Sequence, residues 1–87
     1  MITDMFGKEF KYLDYVIYLR DDKPVLARIA RIVIAQSSRL VCNTVIGYYN
    51  SVEKVTLKRF NTIEIISEDK AKELFPDEYV KLCKYIR

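Results

Sequence analysis

Positive charge is concentrated in the middle of this 87-residue chain. Between residues 23 and 59 there are seven basic residues and one acidic residue, Glu53, so the segment has a net charge of +6, against +3 for the whole chain. Clustered Lys and Arg side chains bind phosphate groups and release counterions, which is the basis of non-specific nucleic-acid binding. The residue types therefore indicate phosphate binding first. The seven basic residues are Lys23, Arg28, Arg31, Arg39, Lys54, Lys58 and Arg59.

Other kinds of chemistry find little support in the sequence. There is no His, the commonest general base and metal ligand near neutral pH. Cys42 and Cys83 are too far apart for a zinc motif of the usual spacing, and the two glycines form no phosphate-binding loop. Adjacent acidic residues occur only where a turn or a helix start is predicted. We therefore expect no catalytic, metal or cofactor site, and a protein that is not an enzyme.

Length and composition indicate one globular domain, residues 1–87. Hydrophobic residues make up 51% and charged residues 31% of the chain, as in ordinary soluble proteins. No apolar run reaches the ~18 residues of a membrane span, and the N-terminus lacks the features of a signal peptide. We expect a cytoplasmic protein without membrane contact. In that compartment the two cysteines are expected to be reduced thiols; a disulfide between them would need an oxidising one.

Residue patterns predict a mainly β fold of the α+β class. A five-stranded antiparallel SH3-like barrel is expected over residues 8–66, and a broken C-terminal helix over 67–87. Ser67 is a suitable helix N-cap, and Pro76 should end the first helical segment and begin a second. The predicted strands cover residues 12–20, 25–35, 39–49, 53–60 and 62–66.

The second predicted strand contains a break in its alternation. Apolar residues at 27 and 29 fall on one face, but those at 32 and 34 fall on the other if alternation is strict. A one-residue bulge near Ala30 and Arg31 would return all four to the core. The same bulge would leave Arg28 and Arg31 facing water.

Several short segments resemble small phage-encoded proteins of SH3-like or KOW-like type. The similarity extends over roughly residues 7–66 and implies the barrel fold, in a group whose activities are mostly unassigned. The segments are Gly7-Lys8-Glu9, Asp14-Tyr15-Val16, Ala27-Arg28-Ile29, Val55-Thr56-Leu57-Lys58-Arg59 and Thr62-Ile63-Glu64-Ile65-Ile66.

A second resemblance concerns the first helical segment. Residues 67–74 resemble the helix that closes the small archaeal chromatin proteins, which share the SH3-like fold. That family binds DNA through a sheet face that carries a Trp and many Lys side chains. This chain contains no Trp.

The preferred hypothesis is binding of DNA or RNA by a basic face of the sheet. Tyr48 or Tyr49 would stack on bases, and Arg39, at a strand start, is a less central candidate. The alternative explanation of the charge is that a half-exposed sheet needs polar residues on its wet face. Phosphate contacts are assigned to Arg28, Arg31, Lys54, Lys58 and Arg59.

The competing hypothesis is binding of another protein by the C-terminal tail. The tail is more apolar than one narrow stripe requires, and a partner could be a second copy, giving a monomer or weak homodimer. If the chain is phage-encoded, the partner would be a host protein in the host cytoplasm. Packing of the whole tail on its own barrel would explain the same residues. The candidate contact residues are Tyr79, Leu82, Tyr85 and Ile86.

Overall fold

The fold is a five-stranded antiparallel sheet followed by two helices. The computed structural model describes residues 2–46 and 51–85. The strands lie side by side in the order β4-β3-β2-β1-β5. The elements are β1 (Tyr15–Arg20), β2 (Lys23–Val33), β3 (Arg39–Ile46), β4 (Ser51–Leu57), a 3-10 turn (Phe60–Thr62), β5 (Glu64–Ile66), α1 (Glu68–Leu74) and α2 (Pro76–Lys84).

The predicted α+β class, the five antiparallel strands and the broken C-terminal helix are confirmed. The sheet is open, however, because its edge strands β4 and β5 do not pair with each other among the described residues. It is nevertheless strongly curled. β1 and β4 are separated by two strands, about 14 Å in a flat sheet, yet Tyr18 of β1 and Leu57 of β4 line the same cavity.

The β1–β2 hairpin is closed by two aspartates. Asp21 and Asp22 have φ values of 52° and 63°, and Arg20 pairs with Lys23 across the turn. Two central residues with positive φ form a type I′ turn, whose twist matches that of the flanking strands. Asp tolerates this conformation better than most residues. The predicted turn is therefore confirmed, although Lys23 and Pro24 already belong to β2.

The predicted bulge in β2 is also confirmed. The register of β2 against β3 shifts between Ile29, which pairs with Cys42, and Arg31, which pairs with Val41. Ala30 is the additional residue. The sheet consequently presents Ile29 and Ile32 to one face and Arg31 to the other. The expectation that the bulge returns all four apolar residues to the core is wrong for Ile34, which is 66% exposed, because β2 ends at Val33 rather than at residue 35.

Several predicted strand ends were wrong. β1 begins at Tyr15 rather than at residue 12, because residues 11–14 form a turn in which Leu13 has a φ of 70°. β4 ends at Leu57 rather than residue 60, because the chain turns into the 3-10 segment. β5 begins at 64 rather than 62. The predicted end of β3 at residue 49 lies outside the described residues.

The concave, inner face of the sheet holds the larger core. It is formed by inward side chains of all five strands, and Phe10 from the N-terminal segment closes it against Phe60, with ring centroids 5.9 Å apart. Cys42 is buried there as a free thiol, and burial raises its pKa to about 12. The buried residues are Phe10, Val16, Tyr18, Ala27, Ile29, Leu40, Cys42, Leu57, Ile63 and Ile65.

The opposite, outer face of the sheet is partly covered by the helices. Tyr15, Leu26 and Ile66 on this face pack with Ala71 of α1 and Leu82 of α2. Local signals start both helices. The Ser67 hydroxyl accepts a hydrogen bond from the backbone N–H of Lys70 at 3.1 Å, and Pro76 is the first residue of α2. No helix within the described part of the chain is long and apolar enough to cross a membrane.

The Asp4 carboxylate ties the N-terminal segment to β5. It is 6% exposed and accepts three backbone hydrogen bonds at 2.9 Å, from Phe6, Lys8 and Ile65. Burial alone would raise the pKa of Asp4, but these hydrogen bonds outweigh burial and lower it below the ordinary value of 3.8. The N-terminal segment therefore covers the outer edge of β5.

We predict that Asp4→Asn lowers the free energy of unfolding by about 2 kcal/mol, because the amide leaves a buried backbone N–H without an acceptor. Since the pKa is lowered in the folded state, the stabilisation is complete above the unfolded pKa and is lost as pH falls through the folded pKa. Urea unfolding of both proteins should therefore show a difference that is largest near neutral pH and shrinks below about pH 4.

Asp22→Asn is the matched control, because it makes the same charge change in a turn position that Asn also accepts. Its stability should stay within about 0.5 kcal/mol of wild type. Equal losses in the two variants would show that Asp4 acts only through the net charge.

Candidate nucleic-acid interface

Arg31 and Lys54 share a cavity on the part of the outer face that the helices leave open. The cavity has a volume of about 270 Å³ and is lined by Ala30, Arg31, Val41 and Lys54. Both basic side chains are exposed. We call this the face cavity.

The pairing of three strands explains why these residues meet. Arg31 of β2 lies opposite Val41 of β3, and Lys54 of β4 lies opposite Asn43 of β3, two residues further along. Arg31 reaches this face only because the bulge at Ala30 shifts the register. The Lys54 ammonium lies 3.4 Å from the side-chain oxygen of Asn43, so it is oriented toward β3.

Lys58 and Arg59 line a second cavity, between the end of β1 and the end of β4. It has a volume of about 210 Å³, and both cations are exposed. We call it the seam cavity, because the two sides of the curled sheet approach each other there. Its lining residues are Tyr18, Leu19, Thr56, Leu57, Lys58, Arg59, Thr62 and Ile63.

Arg28 belongs to neither cavity, and it is partly buried rather than facing water as expected. Its guanidinium donates to the backbone carbonyls of Leu13 at 3.2 Å, Leu82 at 3.3 Å and Cys83 at 3.4 Å. The guanidinium carbon also lies 4.8 Å from the centre of the Tyr15 ring. Arg28 therefore donates to two carbonyls at the end of α2, where a cation is favourable to the helix dipole. The Leu82 carbonyl also accepts the N–H of Tyr85 at 3.3 Å.

Among the described residues, an aromatic side chain other than the two predicted ones lies near the face cavity. Tyr48 and Tyr49 lie outside the described residues. Tyr12 is 59% exposed, and Leu13, which follows it, donates its N–H to Ile29 just before the bulge. Tyr12 therefore lies beside the bulge that presents Arg31. Tyr12 was not predicted as a stacking residue because it was assigned to the first strand. No residue type in the sequence indicates the left-handed conformation of Leu13, which makes that strand begin later, at Tyr15.

The remaining candidates are dispersed. Arg39 is half-buried at the start of β3, opposite Val33. Leu82 is completely buried, and the Tyr79 ring packs on Tyr15 with centroids 5.4 Å apart. Tyr85 is half-buried and caps α2, whereas Ile86 lies outside the described residues. The described part of the tail thus directs its apolar face onto its own sheet.

Tyr15 and Tyr79 place two hydroxyl groups at the contact between α2 and the sheet. Burial raises the pKa of Tyr15 to about 12, and its hydroxyl has no hydrogen-bond partner among the described residues. The pKa of Tyr79 is also raised, by desolvation and then by the charge and hydrogen bond of Glu68. A buried hydroxyl without a partner is unfavourable, and the Arg28 guanidinium stacks on the ring of the same Tyr15 side chain.

Metal ligands are not gathered anywhere in residues 2–46 and 51–85: no three His, Cys, Asp or Glu side chains lie together.

Comparisons with known proteins do not indicate a function, since no family model, no curated protein and no solved structure is significantly similar to the chain.

We predict that Arg28→Lys destabilises the fold although it keeps the charge. A lysine ammonium cannot reach three carbonyls and stack on Tyr15 at once, so we expect a loss of about 1–2 kcal/mol in urea unfolding. Arg31→Lys is the matched control on the same strand. Its exposed side chain should change stability by less than about 0.5 kcal/mol, and equal effects in the two variants would contradict the structural role of Arg28.

Proposed function

We propose that the protein binds DNA or RNA through the open part of its outer sheet face. The observation that carries this proposal is the face cavity, in which Arg31 and Lys54 come together from strands that are not neighbours. Two cations that line one cavity can contact consecutive phosphates, and each contact releases counterions. Lys58 and Arg59 extend the positive surface beyond the end of β4.

The composition of the surface supports backbone contact more than base reading. Apart from Arg31 and Lys54, the face cavity is lined by the small or apolar residues Ala30 and Val41. Such residues offer no donor or acceptor pattern that would distinguish bases. The proposed binding is therefore electrostatic and largely independent of sequence, with Tyr12 as a platform on which an unpaired base can stack.

We also propose that the curled sheet is an open SH3-like barrel, as the resemblance to small phage-encoded proteins implies. The strand order with β5 beside β1, the bulged long β2 and the shared cavity between β1 and β4 support this. The fold does not determine the function. It explains how a small sheet can bury one face by curvature while part of the other stays open for a ligand.

We predict salt-dependent binding that requires the face cavity. Labelled single- and double-stranded DNA and RNA should bind in fluorescence anisotropy at about 50 mM salt, and the affinity should fall at least about tenfold at 200 mM. Arg31→Gln together with Lys54→Gln should lower the slope of log affinity against log salt by about 1.4–2, since two phosphate contacts are lost.

The control is Lys8→Gln together with Lys70→Gln, two exposed lysines outside both cavities. This variant has the same net charge as the test variant. If both variants lose the same affinity, only the net charge matters. If wild type does not bind any of the four ligands at the lower salt concentration, the proposal is wrong.

We further predict that Tyr12→Leu weakens single-strand binding about tenfold, since stacking on one aromatic side chain contributes about 1–3 kcal/mol per base. Binding of double strands, whose bases are already stacked, should change less than about twofold. Phe6→Leu removes another exposed aromatic ring, outside both cavities, and serves as the control. Tyr12 has no stacking role if its loss affects both ligand types equally.

A further inference from the structure

We propose that the seam cavity binds a phosphate group between Lys58 and Arg59. The inference extends the proposed function, because the phosphate can be free or can end a nucleic-acid strand; only the second form rests on nucleic-acid binding. The cavity of about 210 Å³ far exceeds the space for one water. It is smaller than the ~300–1,000 Å³ sites of drug-sized ligands, so a small ligand fits it best.

The backbone brings the two cations to the same cavity. In a regular strand the side chains of consecutive residues point to opposite faces. Arg59 has left the extended conformation, with φ −90° and ψ 74°, because it begins the 3-10 turn. Its carbonyl is held by the N–H of Thr62 at 3.0 Å and by the Thr62 hydroxyl at 2.7 Å. Lys58 and Arg59 can therefore face one ligand together.

The charges of the seam cavity are of one sign. No Asp or Glu is among its lining residues. Within residues 2–46 and 51–85, no side chain forms an ion pair or a hydrogen bond with the side chain of Lys58 or Arg59. Their donors are available to an anion, and the planar guanidinium matches phosphate oxygens particularly well.

A third cation supports the wall of the cavity. The Arg20 guanidinium donates to the Tyr18 hydroxyl at 2.7 Å and lies 5.6 Å from the Tyr18 ring centre. Tyr18 itself lines the cavity. A phenol that accepts from Arg keeps its own hydrogen for donation. The hydroxyl group of Thr56, which also lines the cavity, is a further donor of the kind that holds phosphate oxygens.

The first test is a titration with inorganic phosphate, in which NMR measures the chemical shifts of the backbone amides. Sodium chloride at equal ionic strength is the reference. We expect saturable shifts at Thr56, Lys58, Arg59 and Thr62, and their loss in the Lys58→Gln, Arg59→Gln double variant. The Lys8→Gln, Lys70→Gln variant should respond like wild type. Shifts that do not saturate, that chloride reproduces or that survive the double substitution would overturn the site.

The second test identifies the source of the phosphate. Anisotropy is compared for one short single strand with a 5′-phosphate and with a 5′-hydroxyl. If the ligand is a strand end, the phosphorylated strand binds about tenfold more tightly, and Lys58→Gln with Arg59→Gln removes the difference. Equal binding together with a positive titration assigns the site to free phosphate. If neither strand binds, nucleic-acid binding fails, while the titration still decides the phosphate site.

Discussion

The guanidinium group of Arg28 joins α2 to the sheet, and the helix-covered part of the outer face is held together at this point. Arg28 donates to the carbonyls of Leu82 and Cys83 at the end of α2. Carbonyls at a helix end lack intrahelical partners and can accept further hydrogen bonds, and the Leu82 carbonyl accepts the N–H of Tyr85 as well. Arg28 lies opposite Asn43, which in turn lies opposite Lys54. It therefore marks the boundary between the helix-covered part of the outer face and the open part that holds the face cavity.

The two faces of the sheet are shielded from water in different ways. The inner face is buried by curvature and by Phe10 of the N-terminal segment, so that one apolar core contacts all five strands. The outer face cannot be buried in this way, and α1 and α2 cover only the part that carries Tyr15, Leu26 and Ile66. The remaining part must be hydrated, so it tolerates cations. Positive charge there costs little desolvation, whereas a partly buried cation such as Arg28 needs several acceptors.

The features that were predicted correctly have local causes. The bulge at Ala30 follows from the break in alternation between Ile29 and Ile32, the helix start at Ser67 from its capping hydroxyl and the helix start at Pro76 from its missing N–H. Of the candidate site, Arg31 and Lys54 could be assigned to an exposed face, but their shared cavity could not. It requires β2, β3 and β4 in register, and only the folded sheet fixes that register.

The features that were missed depend on distant partners. The strand neighbours of Arg28 give no indication of its contact with α2, and the residues around Asp4 give no indication of its hydrogen bond to Ile65. Strand ends were misplaced for a related reason. Residues 11–14 and 58–62 have strand-like composition, yet hydrogen bonds within each segment turn the chain.

The hydrogen bonds from Asp4 to Ile65 and from Arg28 to Leu82 also affect how fast the protein unfolds. Asp4 contacts Ile65 across 61 positions, and Arg28 contacts Leu82 across 54. Contacts this distant carry a large loop-closure cost and, like the β1–β5 pairing, are expected to form late, after the hairpins of β1 to β4. Interactions absent from the folding transition state slow unfolding without accelerating folding. These two hydrogen bonds should therefore mainly lower the unfolding rate and so lengthen the lifetime of the native state.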